Sequence, residues 1–192
     1  ENVLYIRNDV SLEDAVPPLP FGDIHSIVFT GRDGSDDRVT IDCADGIPVP
    51  VGGIMLNGKG GLDELELIGG ADLDVEISVG GSGAGEITVA GHVVRFSSME
   101  TVNDFLESTS RTITLTQSDD HVVLSGNGSG AEARMLLDGA NLGSYSFPVS
   151  TVQLAVNGGD GRDKIEFGSS ESELFVPLVI NGNRGDDEFD FA

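Results

Sequence analysis

One phrase of residues, written repeatedly along this chain, constrains its fold more than anything else in it. The phrase is a glycine-rich turn, an aspartate, and then apolar residues at every second place. It is spelled most fully at Asn157-Gly158-Gly159-Asp160-Gly161-Arg162-Asp163-Lys164-Ile165-Glu166-Phe167. It returns at Asn57-Gly58-Lys59-Gly60-Gly61-Leu62-Asp63-Glu64-Leu65-Glu66-Leu67 and at Asn181-Gly182-Asn183-Arg184-Gly185-Asp186-Asp187-Glu188-Phe189-Asp190-Phe191. All three share Asn-Gly, a glycine three residues after the first, an aspartate two further on, and apolar residues two and four beyond that. Looser copies run from Gly31 to Ile41 and from Gly80 to Val89, and degenerate ones from Thr109 to Leu115 and Gly128 to Leu137.

Taking the aspartate place as the marker gives positions 37, 63, 85, 111, 133, 163 and 187, a mean step of 25. A fixed period in the range of about 20–50 residues is the mark of stacked repeats. A βαβ unit needs a helical stretch in each repeat, and most repeats here have none. The expected fold is therefore all-β: a right-handed parallel β-helix, a solenoid with about 25 residues per coil and β-roll-like turns. It is expected to occupy residues 21–192. Residues 1–20, with Pro17, Pro18 and Pro20, read equally as a polar cap on the stack or as a linker. Residues 97–108 are the ambiguous stretch. Met99, Val102, Phe105 and Leu106 have helical spacing behind a Ser97/Glu100 capping box, while the phase of the repeat favours an irregular strand.

Charge limits the partners. Ten Lys and Arg against 33 Asp and Glu leave a net charge of −23, a field that repels nucleic acid and anionic membrane and attracts divalent cations. No apolar run reaches the length of a membrane span, so membrane insertion is not expected. Cys43 continues the inward alternation of Val39 and Ile41 and reads as a small core residue. Arg95, Arg111 and Arg134 are scattered singly and read as exposed strand residues. His25, His92 and His121 share no phase of the repeat, which argues against zinc. Thr112, Thr114 and Thr116 do not recur at the period, which argues against an ice-binding face. The chain begins at Glu1 and ends inside a repeat, and so reads as a piece of a longer protein.

The turns resemble a known family. Gly158 to Glu166 fits the haemolysin-type calcium-binding nonapeptide, Gly-Gly-x-Gly-x-Asp-x-apolar-x, at every defined position. Gly182 to Asp190 fits with Asn183 in place of the second glycine, and Gly58 to Glu66 with Lys59 there. The longer rhythm resembles repeat regions of large bacterial exoproteins and adhesins. The resemblance implies calcium held by turn carbonyls and by Asp163, Asp187, Asp63 and Asp37, with Asp160 and Asp186 beside them. It also departs from the family: nonapeptides there run back to back, whereas here one turn occurs per coil.

A physical argument bears on the same residues. Equivalent positions in stacked coils lie about 5 Å apart, and like charges at that distance cost on the order of a kcal/mol near a surface. A hard cation with oxygen ligands relieves that cost. The competing reading is that the aspartates cap their own turns, bonding local N–H groups and staying solvated, with Asn157 above Asn181 as an amide ladder.

The function expected on these grounds is a structural or interaction module of a secreted or cell-surface bacterial adhesin-like protein. Its partners would be neighbouring domains of the same longer chain and a cell-surface glycan or protein. The alternative is a carbohydrate-active enzyme on a β-helix, a lyase or glycosidase. Acids are plentiful for that, but no general base stands out, and with no Trp and two Tyr there are few platforms for sugars.

Overall fold

The computed structural model describes residues 3–4, 19–127, 134–139, 143–148, 152–168 and 177–191. They are all-β apart from one 3-10 turn at Phe21–Asp23. Val3–Leu4 (β1) pairs antiparallel with Leu19–Pro20 (β2); the residues between them lie outside the described ones, as does the marker at 133.

From Ile27 onward the chain crosses and recrosses between two eight-stranded sheets. β3 (Ile27–Thr30) leads through a turn to β4 (Arg38–Asp42) in the other sheet, and β5 (Ile54–Asn57) leads likewise to β6 (Glu64–Ile68). The first sheet then takes β7 (Leu73–Gly81), β8 (Ala84–Val89) and β9 (His92–Ser97). β10 (Thr101–Asp104) lies in the second sheet and β11 (Ser108–Thr114) in the first. β12 (His121–Asn127), β13 (Arg134–Gly139) and β14 (Gly143–Pro148) return to the second. Two further crossings close the order: β15 (Gln153–Asn157) to β16 (Lys164–Phe167), and β17 (Leu178–Asn181) to β18 (Glu188–Phe191).

The strand orders are β3-β5-β9-β8-β7-β11-β15-β17 and β4-β6-β10-β14-β13-β12-β16-β18. Level strands of the two sheets, with the turn joining them, form a rung. Alternation with period two puts one face of each strand inward. Leu65, Leu67, Ile87, Val94, Ile113, Val122, Val156 and Ile165 are all completely buried, in one core cluster fed by both sheets. Each such side chain contributes about 1.5–3 kcal/mol by leaving water. Cys43 belongs to this cluster, as its alternation predicts, and burial, with Asp42 and Asp104 adding, pushes its thiol up to about 11.

The period holds at the two ends and breaks in the middle. Thr40 pairs with Glu66 and Lys164 with Glu188, steps of 26 and 24. Asn57, however, pairs with Ser97, and Thr114 with Asn157, steps of 40 and 43. Each long step contains an antiparallel excursion. From β6 the chain passes to β7, three places beyond β5 in the opposite sheet, and fills the gap backwards through β8 and β9. The second sheet does the same with β12, β13 and β14.

The copies at Gly80–Val89 and Thr109–Leu115 are therefore not turns between the sheets. The first is a hairpin whose loop, Ser82-Gly83, has both residues at positive φ (51° and 70°); a second loop, Ala90-Gly91, repeats this at 46° and 83°. Two residues at positive φ make the tight turn that matches strand twist. The ambiguous stretch 97–108 is β10 and the start of β11 rather than a helix. Pro177 directly precedes the edge strand β17, consistent with its missing N–H.

Candidate functional site

The turns between the sheets stack into two rows, and each row is stitched by its acids. In the first, the Asp37 N–H donates to Asp63 Oδ1 at 2.7 Å, and the Asp63 N–H donates to Glu100 Oε2 at 2.8 Å. In the second, the Asp120 N–H donates to Asp163 Oδ1 and the Asp163 N–H to Asp187 Oδ1, both at 3.0 Å. Outer acids repeat the device: Leu62 N–H donates to Asp36 and Arg162 N–H to Asp119. A carboxylate accepting a backbone N–H is a charge-assisted bond, roughly twice as strong as a neutral one. Beside the second row, Asn181 Nδ2 donates to Asn157 Oδ1 at 2.8 Å, the expected amide ladder, and Asn157 reaches Thr114.

The stack thus brings Asp37 to Asp63 and Asp163 to Asp187, while Asp160 and Asp186 lie exposed on the outside of their turns. Among the described residues, no group of three or more His, Cys, Asp or Glu side chains converges on a point that could hold a metal. Sequence reasoning missed Glu100 and Asp120, which complete the rows. Their turns lack the Asn-Gly signal, and the only clue is an acid directly before an alternating strand.

The second carboxylate oxygen is unusual. Asp63 and Asp163 are each 1% exposed, and their Oδ2 atoms have no hydrogen-bond donor among the described residues. Each Oδ2 faces the Cα of the glycine that opens its turn. A Cβ on Gly58 would stand 2.3 Å from Asp63 Oδ2 and 2.1 Å from Ser98 O; one on Gly158 would stand 2.3 Å from Asp163 Oδ2 and 2.9 Å from Gly182 O. The opening glycine is required here by close approach, not by its φ.

Burial pushes the Asp163 carboxyl above its ordinary 3.8; the bond from the Asp120 N–H acts the other way, and the carboxylates of Asp120, Asp187 and Asp119 add to the rise. An acid raised in the folded state ionises at a cost. Its contribution to stability is whole below the unfolded pKa and is lost as pH rises through the folded one. Asp163→Asn keeps an oxygen for the Asp120 N–H and places an amide donor beside Gly182 O. It is expected to hold the neutral-pH melting midpoint and to flatten the pH dependence just above 3.8. Asp163→Ala orphans the Asp120 N–H and is expected to cost about 1–3 kcal/mol. Melts of both variants between acid and neutral pH check this; a loss as large in Asn as in Ala would refute it.

A second polar cluster is sealed in the core. Arg111, expected on the surface, is 1% exposed and forms a 2.6 Å ion pair with Asp104, both side chains fully buried. The same carboxylate accepts the Tyr145 hydroxyl at 2.7 Å and the Leu106 N–H at 2.7 Å. The guanidinium also donates to Leu106 O and lies 5.0 Å over the Phe147 ring. Burial, and then the Asp104 charge, push the Tyr145 hydroxyl well above its ordinary value of 10.0. Arg111 falls in phase with the alternation of β11, which turns it inward; nothing in its immediate sequence announces the partner seven residues back. Arg95, by contrast, sits on the surface as expected, 2.9 Å from Glu86.

No helix among the described residues is long and apolar enough to cross a membrane. No protein-family model matches the sequence, and no curated protein or solved structure is detectably similar to it.

Proposed function

We propose that the chain is a stiff structural and binding module of a secreted or cell-surface, adhesin-like bacterial protein, built as a flattened parallel β-solenoid. The observation that carries this reading is the pair of acid-stitched rows, which make the turns part of the load path from rung to rung. An open polar groove of about 610 Å³ runs beside the second row, lined by Thr114, Gln117, Asn157, Asp160, Asn183 and Arg184. Amides and hydroxyls spaced at the strand interval, about 4.8 Å, are the chemistry that takes a glycan or an extended polar peptide. Protease shaving of intact cells, read with an antibody against this chain, is expected to remove the signal. A signal confined to the cytosol overturns the proposal, and turnover of a polysaccharide panel transfers it to the enzyme alternative.

A second reading, calcium at the Gly/Asp turns, is favoured by one observation: Asp63 Oδ2 and Asp163 Oδ2 are buried acceptors with no donor among the described residues. On this reading millimolar calcium, against EDTA and magnesium controls, raises the melting midpoint. Ligand at 100 times its dissociation constant adds about 2.7 kcal/mol. The rise is lost in the Asp163→Asn, Asp187→Asn double variant. Superimposable melts in all three buffers reject calcium and leave the carboxylates as acceptors for the backbone.

A further inference from the structure

On the flank of the second row, two columns of polar side chains run across successive turns, one on each side of the open groove. Thr114, Asn157 and Asn181 form the first column, joined by hydrogen bonds of 3.4 Å and 2.8 Å. Gln117, Asp160 and Arg184 form the second, all three exposed, with Asp160 bridged to Arg184 through the backbone. Between the columns the floor is Gly159, at φ 100°, where a Cβ would run into Thr116 O. In the first row, the copy of the phrase that begins at Asn57 places Lys59 where Gly159 stands, exposed and at φ 77°. The chain thus sets its own ammonium group at that place in one row and leaves it bare in the other. The strands behind the groove, β11 and β15, have neighbours on both sides, so the groove belongs to the flank of the stack.

We infer that this groove binds a glycan with free amino groups, a β-linked glucosamine chain; the inference rests on the reading of the protein as a binding module. Backbone bonding disfavours an extended peptide. A peptide gains affinity from main-chain bonds to a sheet edge, and β11 and β15 are paired on both sides. What the groove offers is side chains. An amide has two N–H donors and an oxygen with two lone pairs, so Asn157 and Asn181 keep capacity for sugar hydroxyls after bonding to each other. These groups recur at the strand interval of about 4.8 Å, close to the repeat of an extended β-linked hexosamine. Charge then decides among glycans. A net charge of −23 repels uronate and phosphate polymers and draws in a cation, and Asp160 sets a carboxylate at the groove's rim. The ligand's ammonium group takes, over Gly159, the place that Lys59 fills in the first row.

Titration calorimetry at mildly acidic pH, where the sugar amine is charged, tests this with hexamers of glucosamine, N-acetylglucosamine and galacturonate. The glucosamine hexamer is expected to bind and the uronate to give no heat. The N-acetylated hexamer is expected to bind at least about tenfold more weakly, for want of one charge-assisted contact. Asp160→Asn removes the rim carboxylate, and Asn183→Lys brings an ammonium group to the groove at φ 67°, a conformation that Lys59 already adopts. Each is expected to weaken the glucosamine hexamer by about tenfold or more. Asp72→Asn removes the same charge from an exposed turn between β6 and β7, at the opposite edge of the stack, and is expected to change nothing. Circular dichroism verifies that each variant is folded. An equal loss in Asp72→Asn would mean attraction to the charged surface as a whole and overturns the inference. So does equal affinity for the two hexosamines, which leaves a glycan in the groove but removes the amine's part. So do three silent titrations, and a polar peptide that binds in their place makes the groove a peptide site. The cell-surface reading is decided separately, by protease shaving.

Discussion

Asp104→Ala is expected to lower stability by about 3–5 kcal/mol, the range for removing one partner of a buried ion pair. The loss is large because one carboxylate does three tasks. It neutralises Arg111 at 2.6 Å, receives the Tyr145 hydroxyl at 2.7 Å, and accepts the Leu106 N–H at 2.7 Å through its other oxygen. Without it, a guanidinium remains in the core with backbone carbonyls and the Phe147 ring but without its counter-charge. Urea unfolding at neutral pH measures the change as a shift in midpoint. The triple variant Asp104→Leu, Arg111→Met, Tyr145→Phe is expected to recover most of the loss, because desolvating the pair offsets much of its attraction. An unchanged midpoint in the single variant would refute the account; a triple variant as unstable as the single one would refute its second half.

Gly61→Ala is expected to cost about 2–5 kcal/mol, the sum of backbone strain and overpacking. Gly61 is the glycine three residues after the one that opens its turn, at φ 142°, and an added Cβ would stand 2.1 Å from the Ser35 carbonyl of the preceding rung. Its equivalents share both features: Gly161 has φ 116° and its Cβ would meet Ser118, and Gly185 has φ 150° and its Cβ would meet Gly161 O. The obstacle is backbone in all three, so no side chain can swing aside. Gly34 supplies the control: its φ is 73°, but nothing lies within 4 Å of its added Cβ. Gly34→Asn, a residue that tolerates the left-handed region, is expected to shift the melting midpoint by far less. Equal shifts at the two positions would show that φ alone, and not contact between rungs, fixes the glycines.

The turn phrase made the end rungs legible from sequence. Asn-Gly, the later glycine and the aspartate each answer a local need of the crossing turn, and so they recur wherever the need does. The pairing of Asp37 with Asp63 and of Asp163 with Asp187 follows from the phrase alone. The middle was not legible, because period-two alternation is the same in a strand that runs forward and one that runs back. Ile87 and Val89 point inward in an antiparallel strand as they would in a parallel one. Only the two-residue loops Ser82-Gly83 and Ala90-Gly91 mark the reversal, and a glycine-rich repeat makes such loops easy to take for another copy. Arg111 was hidden for a different reason. Its inward phase is evident, but the acid that makes it tolerable comes from β10 and the hydroxyl from β14, and no spacing rule links the three.

The two backward excursions also determine how the chain comes together in time. In an uninterrupted stack, each new rung can condense on the one just made. Here β6 gains its second neighbour, β10, only after the chain has travelled out to β7 and returned through β8 and β9. β10 in turn waits for β14, which arrives by way of β11, β12 and β13. Loop closure must therefore precede the contacts that reward it, the circumstance that slows folding in chains of high contact order. The hairpins, which close within microseconds, are the natural first events, and the parallel edges on either side of them close last. Neither half of the polypeptide holds a complete set of neighbours for its own strands, because β10 needs β14 and β11 needs β15. The interleaved middle is therefore expected to form and come apart as one kinetic unit, while the end rungs β3/β4 and β17/β18 rest on one neighbour each.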